Sequence, residues 1–134
     1  MSVGIEMIQQ LVRGELPLPP IARLIGFAVT AVESGRVVVE MAADERHANP
    51  MGTLHGGVLC DIADIAMEVA YSSNLDEGES FTTLELKINF LKPVWRARLK
   101  AVGEWSNRGA RWDGSSAIEP TRKGAWWHVR RVRA

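Results

Sequence analysis

The stretch His55–Ala70, HGGVLCDIADIAMEVA, decides how the rest of the chain can fold. Apolar side chains recur in it at the 3.6-residue period of an α-helix, at Val58, Ile62, Ile65 and Val69. Leucine and alanine residues beside them widen the apolar face, so we predict a long, nearly apolar helix from His55 to about Ser72. Because one face of a sheet cannot cover such a helix, a second copy of the chain is expected to help bury it.

Strand patterns lie on both sides of this helix. Ser80–Leu91 alternates apolar and polar residues and is the clearest strand in the sequence, and Ala97–Ala101 predicts a second long strand beyond Pro93. Before the helix, Phe27–Val32 and Arg36–Ala42 flank a Ser-Gly pair and predict a β-hairpin. With short helical segments only at 5–13 and 21–25, the chain is expected to be α+β: an antiparallel sheet wrapped around one long central helix.

Length and composition limit the class of protein. The chain has 134 residues, 46% of them hydrophobic and 24% charged, which is enough for one domain over residues 1–134 and excludes a disordered protein. Sixteen basic residues balance sixteen acidic ones, so no overall field favours nucleic acid or an anionic membrane. No apolar run approaches the ~20 residues of a membrane helix. With a single cysteine, Cys60, and no leader pattern, we expect a cytoplasmic protein.

The last 31 residues differ from the rest. Residues 1–103 hold nine Lys and Arg against thirteen Asp and Glu, whereas residues 104–134 hold seven against three and contain four of the five tryptophans. Beyond Val102 the two-residue period fades, and Trp127–Val132 is the one segment that resembles a strand.

The start of the long helix has a pattern suited to chemistry. A His-Gly-Gly sequence at a helix entry leaves backbone N–H groups without intrahelical acceptors at the positive end of the helix dipole, where an oxyanion is stabilised. Gly56 and Gly57 allow a ligand to approach the backbone closely. Two turns on, Asp64 could activate water or attack a carbonyl. By default Asp61, Asp64 and Glu68 would form a solvated face, and Asp61 is assigned a structural role.

No metal site is predicted. His47 and His128 have no partners at the spacing of metal ligands, and we expect both at the surface.

His55–Ala70, followed by the strand pattern Thr82–Pro93, resembles the hotdog-fold acyl-CoA thioesterases of the PaaI (phenylacetic-acid degradation) type. The resemblance covers roughly Leu16 to Val102. It implies a hotdog fold, hydrolysis of acyl-CoA without metal or organic cofactor, and a homodimer or homotetramer. The acyl group would be phenylacetyl or a medium chain.

The resemblance also implies roles for individual residues. Asp64 would be the catalytic carboxylate, as general base or nucleophile, and the Gly56 N–H, helped by Asn49, would polarise the thioester carbonyl. His55 would lie beside this oxyanion site, Thr83 would help to place the water, and Gly57 and Thr82 would contact the substrate. In this family these groups come from two subunits. Thr82 and Thr83 are neighbours in a predicted strand, so one of them can face the site, and the spacing to Pro93 favours Thr83.

Two alternatives remain open from the sequence. The domain could bind acyl-CoA without hydrolysing it. A reading-frame slip in a GC-rich gene would also explain why residues 104–134 depart from the two long strands that normally end this fold, and its product could be inactive.

Overall fold

A computed structural model describes residues 2–83 and 85–105, with side chains apart from that of Glu85, and the strand backbone within 107–108, 111–112, 115–120 and 127–133. Three helices and eight strands lie in these residues. The helices are α1 (Val3–Val12), α2 (Pro20–Ile25) and α3 (Gly56–Ser72). The strands are β1 (Phe27–Glu33), β2 (Arg36–Ala43), β3 (Glu85–Ile88), β4 (Ala97–Glu104), β5 (Asn107–Arg108), β6 (Arg111–Trp112), β7 (Ser115–Pro120) and β8 (Trp127–Arg133).

The predicted long helix is confirmed as α3, with His55 as its N-cap residue. Its core face consists of seven buried side chains: Val58, Leu59, Ile62, Ala63, Ala66, Met67 and Ala70. This face packs mainly on β4 and β2, whose inward residues Val37, Val39, Leu99 and Ala101 are fully buried. At Gly103 the backbones of β4 and α3 approach so closely that an added Cβ would overlap the carbonyl oxygen of Ala66.

Six strands form one antiparallel sheet in the order β1-β2-β4-β7-β8-β3. The predicted hairpin is present as β1 and β2, and its turn contains Gly35 at φ 74°. Strand β4 pairs with the whole of β2, from Arg36↔Glu104 to Ala43↔Ala97. The α+β architecture predicted from the sequence, a sheet around a single long helix, is therefore confirmed.

The strand before Pro93 is shorter than predicted. The sequence pattern spans Ser80–Leu91, whereas β3 spans Glu85–Ile88, and Leu84 lies outside the described residues. Strand β3 is at the edge of the sheet and pairs with β8 alone, with a register shift between Leu86 and Ile88. Alternation selects which side chains face a core, but a strand extends only as far as a neighbour offers hydrogen bonds.

The tail contributes more to the sheet than its sequence indicates. Strand β7 pairs with β4 from Leu99↔Pro120 to Val102↔Ala117, and β8 links β7 to β3. The sequence leaves open whether residues 104–134 form the two closing strands, and in the structure the backbones of β7 and β8 pair within the sheet. The departure of residues 104–134 from the family lies in their composition, since backbone pairing does not need alternating side chains.

His47 is buried, in contrast to the predicted surface position. The residue is 8% exposed and is the last residue of the 3₁₀ turn Glu45–His47. The Asp44 N–H donates to His47 Nδ1 at 3.1 Å, so Nε2 carries the proton and donates to the Ile25 carbonyl at 2.7 Å. The side chain of His128 lies outside the described residues.

None of the helices in the described part of the chain combines the length and the apolar character needed to cross a membrane.

Candidate active site

The start of α3 presents free backbone donors. In an α-helix the first N–H groups have no intrahelical acceptor, and here these belong to Gly56 and Gly57. The His55 side chain makes no capping hydrogen bond, although its ring lies next to Gly57. The donors at the positive end of the helix are thus left for a ligand.

A cavity of about 360 Å³ lies against this helix start. Gly56 and Leu59 of α3 line one side, and the segment Phe90–Val94 lines another. The Phe90 ring covers Gly56, because a Cβ at Gly56 would stand 3.0 Å from Phe90 Cζ. The Leu54 N–H donates to the Val94 carbonyl at 2.6 Å and ties these two walls together.

Asn49 organises the loop that leads into α3. Its side-chain oxygen accepts from the N–H groups of Met51 and Thr53, at 3.0 and 3.2 Å, and its amide nitrogen donates to Thr53 Oγ1 at 2.7 Å. Thr53 in turn lines the cavity beside Gly56. Asn49 itself does not line this cavity, and its side chain is hydrogen-bonded within the loop.

Asp64 lies further along α3 and is bound by a hydroxyl group. Thr83 Oγ1 lies 3.0 Å from Asp64 Oδ1 and 3.1 Å from Glu68 Oε1. All three side chains are half-buried, whereas Thr82 is exposed. The structure thus brings Thr83 and Asp64 together. Thr83 lies in the segment before β3, whereas the sequence pattern predicts it within the strand.

Three acidic residues, Asp61, Asp64 and Glu68, lie close together along α3. Burial and the nearby Asp64 carboxylate raise the pKa of Asp61, and His55 counteracts this in part. Burial and the Asp64 carboxylate also raise the pKa of Glu68. Carboxyl groups that hold protons more tightly than usual are typical of acid–base sites.

Gly56 and Asp64 are far apart along one helix. Asp64 is eight positions after Gly56, and a rise of ~1.5 Å per residue corresponds to ~12 Å along the axis. One carbonyl group cannot contact both of them in the same chain.

The sequence pattern indicates no functional part for two residues of this region. The acidic residues of the helix predict only a solvated face that includes Glu68, although its four-residue spacing from Asp64 indicates that the two lie on one side of α3. The alternation over Ser80–Leu91 predicts Phe90 within a strand, whereas the residue is outside β3, is 52% exposed and forms a cavity wall. No signal in the sequence shows that the chain leaves the sheet before Phe90. In the described residues no three His, Cys, Asp or Glu side chains are grouped closely enough to hold a metal ion.

Comparisons with known proteins agree with this architecture. The family described as the thioesterase superfamily matches residues 51–111. A protein of Saccharolobus solfataricus named as an esterase is 30% identical over 114 residues, which are 79% of this chain and 75% of that protein. The 1,4-dihydroxy-2-naphthoyl-CoA hydrolase of Listeria monocytogenes is 33% identical over 80 residues, 60% of this chain and 65% of that protein. The chain thus spans just under two thirds of the length of this and other curated relatives.

Among solved structures, the E. coli PaaI protein from the phenylacetic acid degradation operon superposes with a TM-score of 0.74 at 21% identity, over 93% of this chain and 91% of that one. This likeness confirms the predicted hotdog fold and the resemblance to PaaI-type proteins.

Proposed function

Because the chain belongs to the thioesterase superfamily, we propose that it hydrolyses acyl-CoA thioesters to the free carboxylic acid and coenzyme A. The observation that carries this proposal is the combination of two features of α3. Its glycine-opened start lines a cavity with free N–H donors, and its carboxylate Asp64 is held by the Thr83 hydroxyl.

The chemistry follows from these groups. The thioester carbonyl oxygen accepts a hydrogen bond from the Gly56 N–H, with the Asn49 loop holding this helix start in place. As water attacks the carbonyl carbon, negative charge develops on that oxygen, and a single donor at such a site typically contributes ~10²–10³-fold in rate. The C–S bond then breaks, and the sulfur of coenzyme A takes up a proton and leaves as the thiol.

Asp64 has two possible parts in this reaction. As a general base it takes a proton from the attacking water and returns it to the thiolate. As a nucleophile it forms an acyl anhydride that water hydrolyses. In either case the Thr83 hydrogen bond fixes Oδ1 and orients the carboxylate.

The proposed site requires two copies of the chain. Since ~12 Å of helix separates Gly56 from Asp64, the carboxylate that acts on a carbonyl bound at Gly56 comes from a second protomer. We therefore propose a homodimer, alone or within a tetramer, as the active form. His55 and Gly57, next to the carbonyl, complete the substrate contacts in this proposal, whereas Thr82 is exposed and faces away from Asp64.

The proposed acyl group is phenylacetyl or a medium-length chain. The cavity walls at Leu54, Leu59 and Phe90 are apolar, and about 360 Å³ is near the lower end of the volumes that hold small ligands.

The test is release of free coenzyme A from a panel of acyl-CoA esters by the purified full chain, followed with a thiol reagent. Asp64→Asn is expected to lower kcat by roughly 10³-fold, because it removes the base or nucleophile. Asp61→Asn is the matched control, since it removes the same charge one turn away on α3 and is expected to retain activity.

Binding of acyl-CoA without turnover by the wild type would contradict hydrolysis and would identify a binding module instead. Equal loss of activity in both variants would contradict the assignment of Asp64.

A further inference from the structure

A single hydroxyl group lies between two carboxyl groups. Thr83 Oγ1 is within hydrogen-bond distance of both Asp64 Oδ1 and Glu68 Oε1. A threonine hydroxyl carries one hydrogen, so it can donate fully to one of them at a time. The other carboxyl group then either shares that hydrogen weakly or is protonated and donates to the Thr83 oxygen.

The position of Thr83 is fixed by aromatic packing. Phe81, two residues earlier, contacts the Tyr71 ring edge to face, with 5.1 Å between ring centroids and an interplanar angle of 67°. Tyr71 follows Glu68 by three residues and so lies on the same side of α3. This contact holds residues 81–83 against the helix next to the two carboxyl groups.

Glu68 is the carboxyl group better suited to hold a proton. Burial, and then repulsion by the Asp64 carboxylate on the same helix, raise the pKa of Glu68, while a hydrogen bond donated by Thr83 would act in the opposite direction. On the neighbouring strand β3, Lys87 is the basic residue among the described side chains, and it is exposed to solvent. The ordinary pKa of glutamate is also above that of aspartate. As pH falls, a proton is therefore taken up readily at Glu68.

We propose that Glu68 is a positioning residue for Asp64: protonated Glu68 donates to Thr83 Oγ1, and Thr83 donates to Asp64 Oδ1. These two successive hydrogen bonds occupy Asp64 Oδ1 and leave Oδ2 to react with water or with the acyl carbon. The inference rests on the proposed thioesterase function, in which Asp64 is the reacting carboxylate.

The arrangement makes activity depend on pH. Once Glu68 is ionised, it competes with Asp64 for the single Thr83 hydrogen, and the carboxylate loses its fixed orientation. Glu68 does not contact the substrate in this scheme. Turnover, kcat, should therefore decline as pH rises through the pKa of Glu68, with KM unchanged.

Two substitutions separate the hydrogen bond from the charge. Glu68→Gln keeps a neutral donor at every pH, whereas Glu68→Met has a similar length and no donor. Both should abolish the decline in kcat at higher pH. The plateau of the glutamine variant should match the low-pH level of the wild type, and that of the methionine variant should be roughly fivefold lower. Asp61→Asn, the charge control, should keep the wild-type decline. A wild-type profile without this decline, or equal plateaus for glutamine and methionine, would overturn the proposal.

A second measurement needs no turnover. The pKa of Glu68 is followed by carbon NMR of its carboxyl group in the wild type and in Thr83→Val. If Glu68 donates to Thr83, removal of the hydroxyl destabilises the protonated form and the pKa of Glu68 falls. A rise would mean that Thr83 donates to ionised Glu68 and would overturn the proposal. This result stands even if the Asp64→Asn assay rejects hydrolysis, so the two failures are distinguishable.

Discussion

His47 fixes the start of α3 from outside the site. Its ring bridges the Asp44 N–H and the Ile25 carbonyl, and its own carbonyl accepts from the His55 N–H at 2.8 Å. His47→Ala leaves two polar backbone groups without their partner and opens a cavity. We expect the free energy of unfolding, measured by urea denaturation, to fall by roughly 2–3 kcal/mol. His47→Gln can keep one of the two hydrogen bonds and should lose less, and equal losses would contradict this explanation.

Asp44, which caps the same turn, makes stability depend on acid pH. Hydrogen bonds from the Arg46 side chain and backbone lower the pKa of Asp44 from 3.8 to about 2. Because the pKa is lower in the folded state, the stabilisation is fully present above about pH 4 and is lost as pH falls through about 2. The wild type should therefore melt at a higher temperature than Asp44→Asn at pH 5, and this difference should shrink towards pH 2.

The matched control for this titration is Glu15→Gln. Glu15 pairs with Arg13 through a hydrogen bond of 2.7 Å that also lowers its pKa, but both side chains are about half exposed. A solvated pair of this kind contributes little to stability. A difference for Asp44→Asn that stays constant from pH 5 to pH 2 would contradict the predicted titration.

At the scale of elements, the contact between α3 and β4 depends on Gly103. A methyl group there would overlap the Ala66 carbonyl, which is backbone and cannot turn aside. Gly103→Ala should therefore separate helix and strand and lower the free energy of unfolding by about 3 kcal/mol, the upper part of the range for overpacked cores. Chemical denaturation with fluorescence detection measures this loss.

Gly57→Ala is the control for an added methyl group. At Gly57 the new Cβ would meet the ring of His55, which is exposed and can rotate. Its effect on the free energy of unfolding should stay below about 1 kcal/mol, since alanine is also the better helix former. Equal effects at the two positions would contradict the close-packing argument.

The elements differ in how well their sequence predicts them. The period of α3 is a property of its own residues, and its observed bounds agree with the pattern almost to the residue. Strand β3 has an equally clear pattern, yet it is shorter than predicted because β8 pairs with only part of it. Strand β7 has no alternating pattern and nevertheless forms, because β4 offers backbone hydrogen-bonding groups from Leu99 to Val102.

At the scale of the whole molecule, the proposed two-subunit site predicts complementation. Asp64→Asn and Gly56→Ala should each be nearly inactive alone, the first without its carboxylate and the second with a methyl group between the helix start and Phe90. In a mixed dimer one site combines intact Gly56 from one protomer with intact Asp64 from the other. Unfolding and refolding an equal mixture should restore roughly a quarter of the wild-type rate, since half of the dimers are mixed and each has one intact site.

The activity of the refolded mixture is compared with that of each variant refolded alone. A mixture no more active than its components would contradict a site shared between protomers. It would leave the family assignment untouched, because that rests on the sequence and the fold.

Local sequence is sufficient for the features that depend on neighbours along the chain: the apolar period of α3, its His-Gly-Gly start, the hairpin, and the spacing of Asp64 from that start. Other features depend on contacts between residues that are distant in sequence, and they become visible only in the folded chain. These are the burial of His47, the covering of Gly56 by Phe90, and the meeting of Thr83 with both Asp64 and Glu68. The physical reason is that periodicity records which face of an element is apolar, whereas hydrogen bonds and close contacts depend on which elements meet and where each one ends.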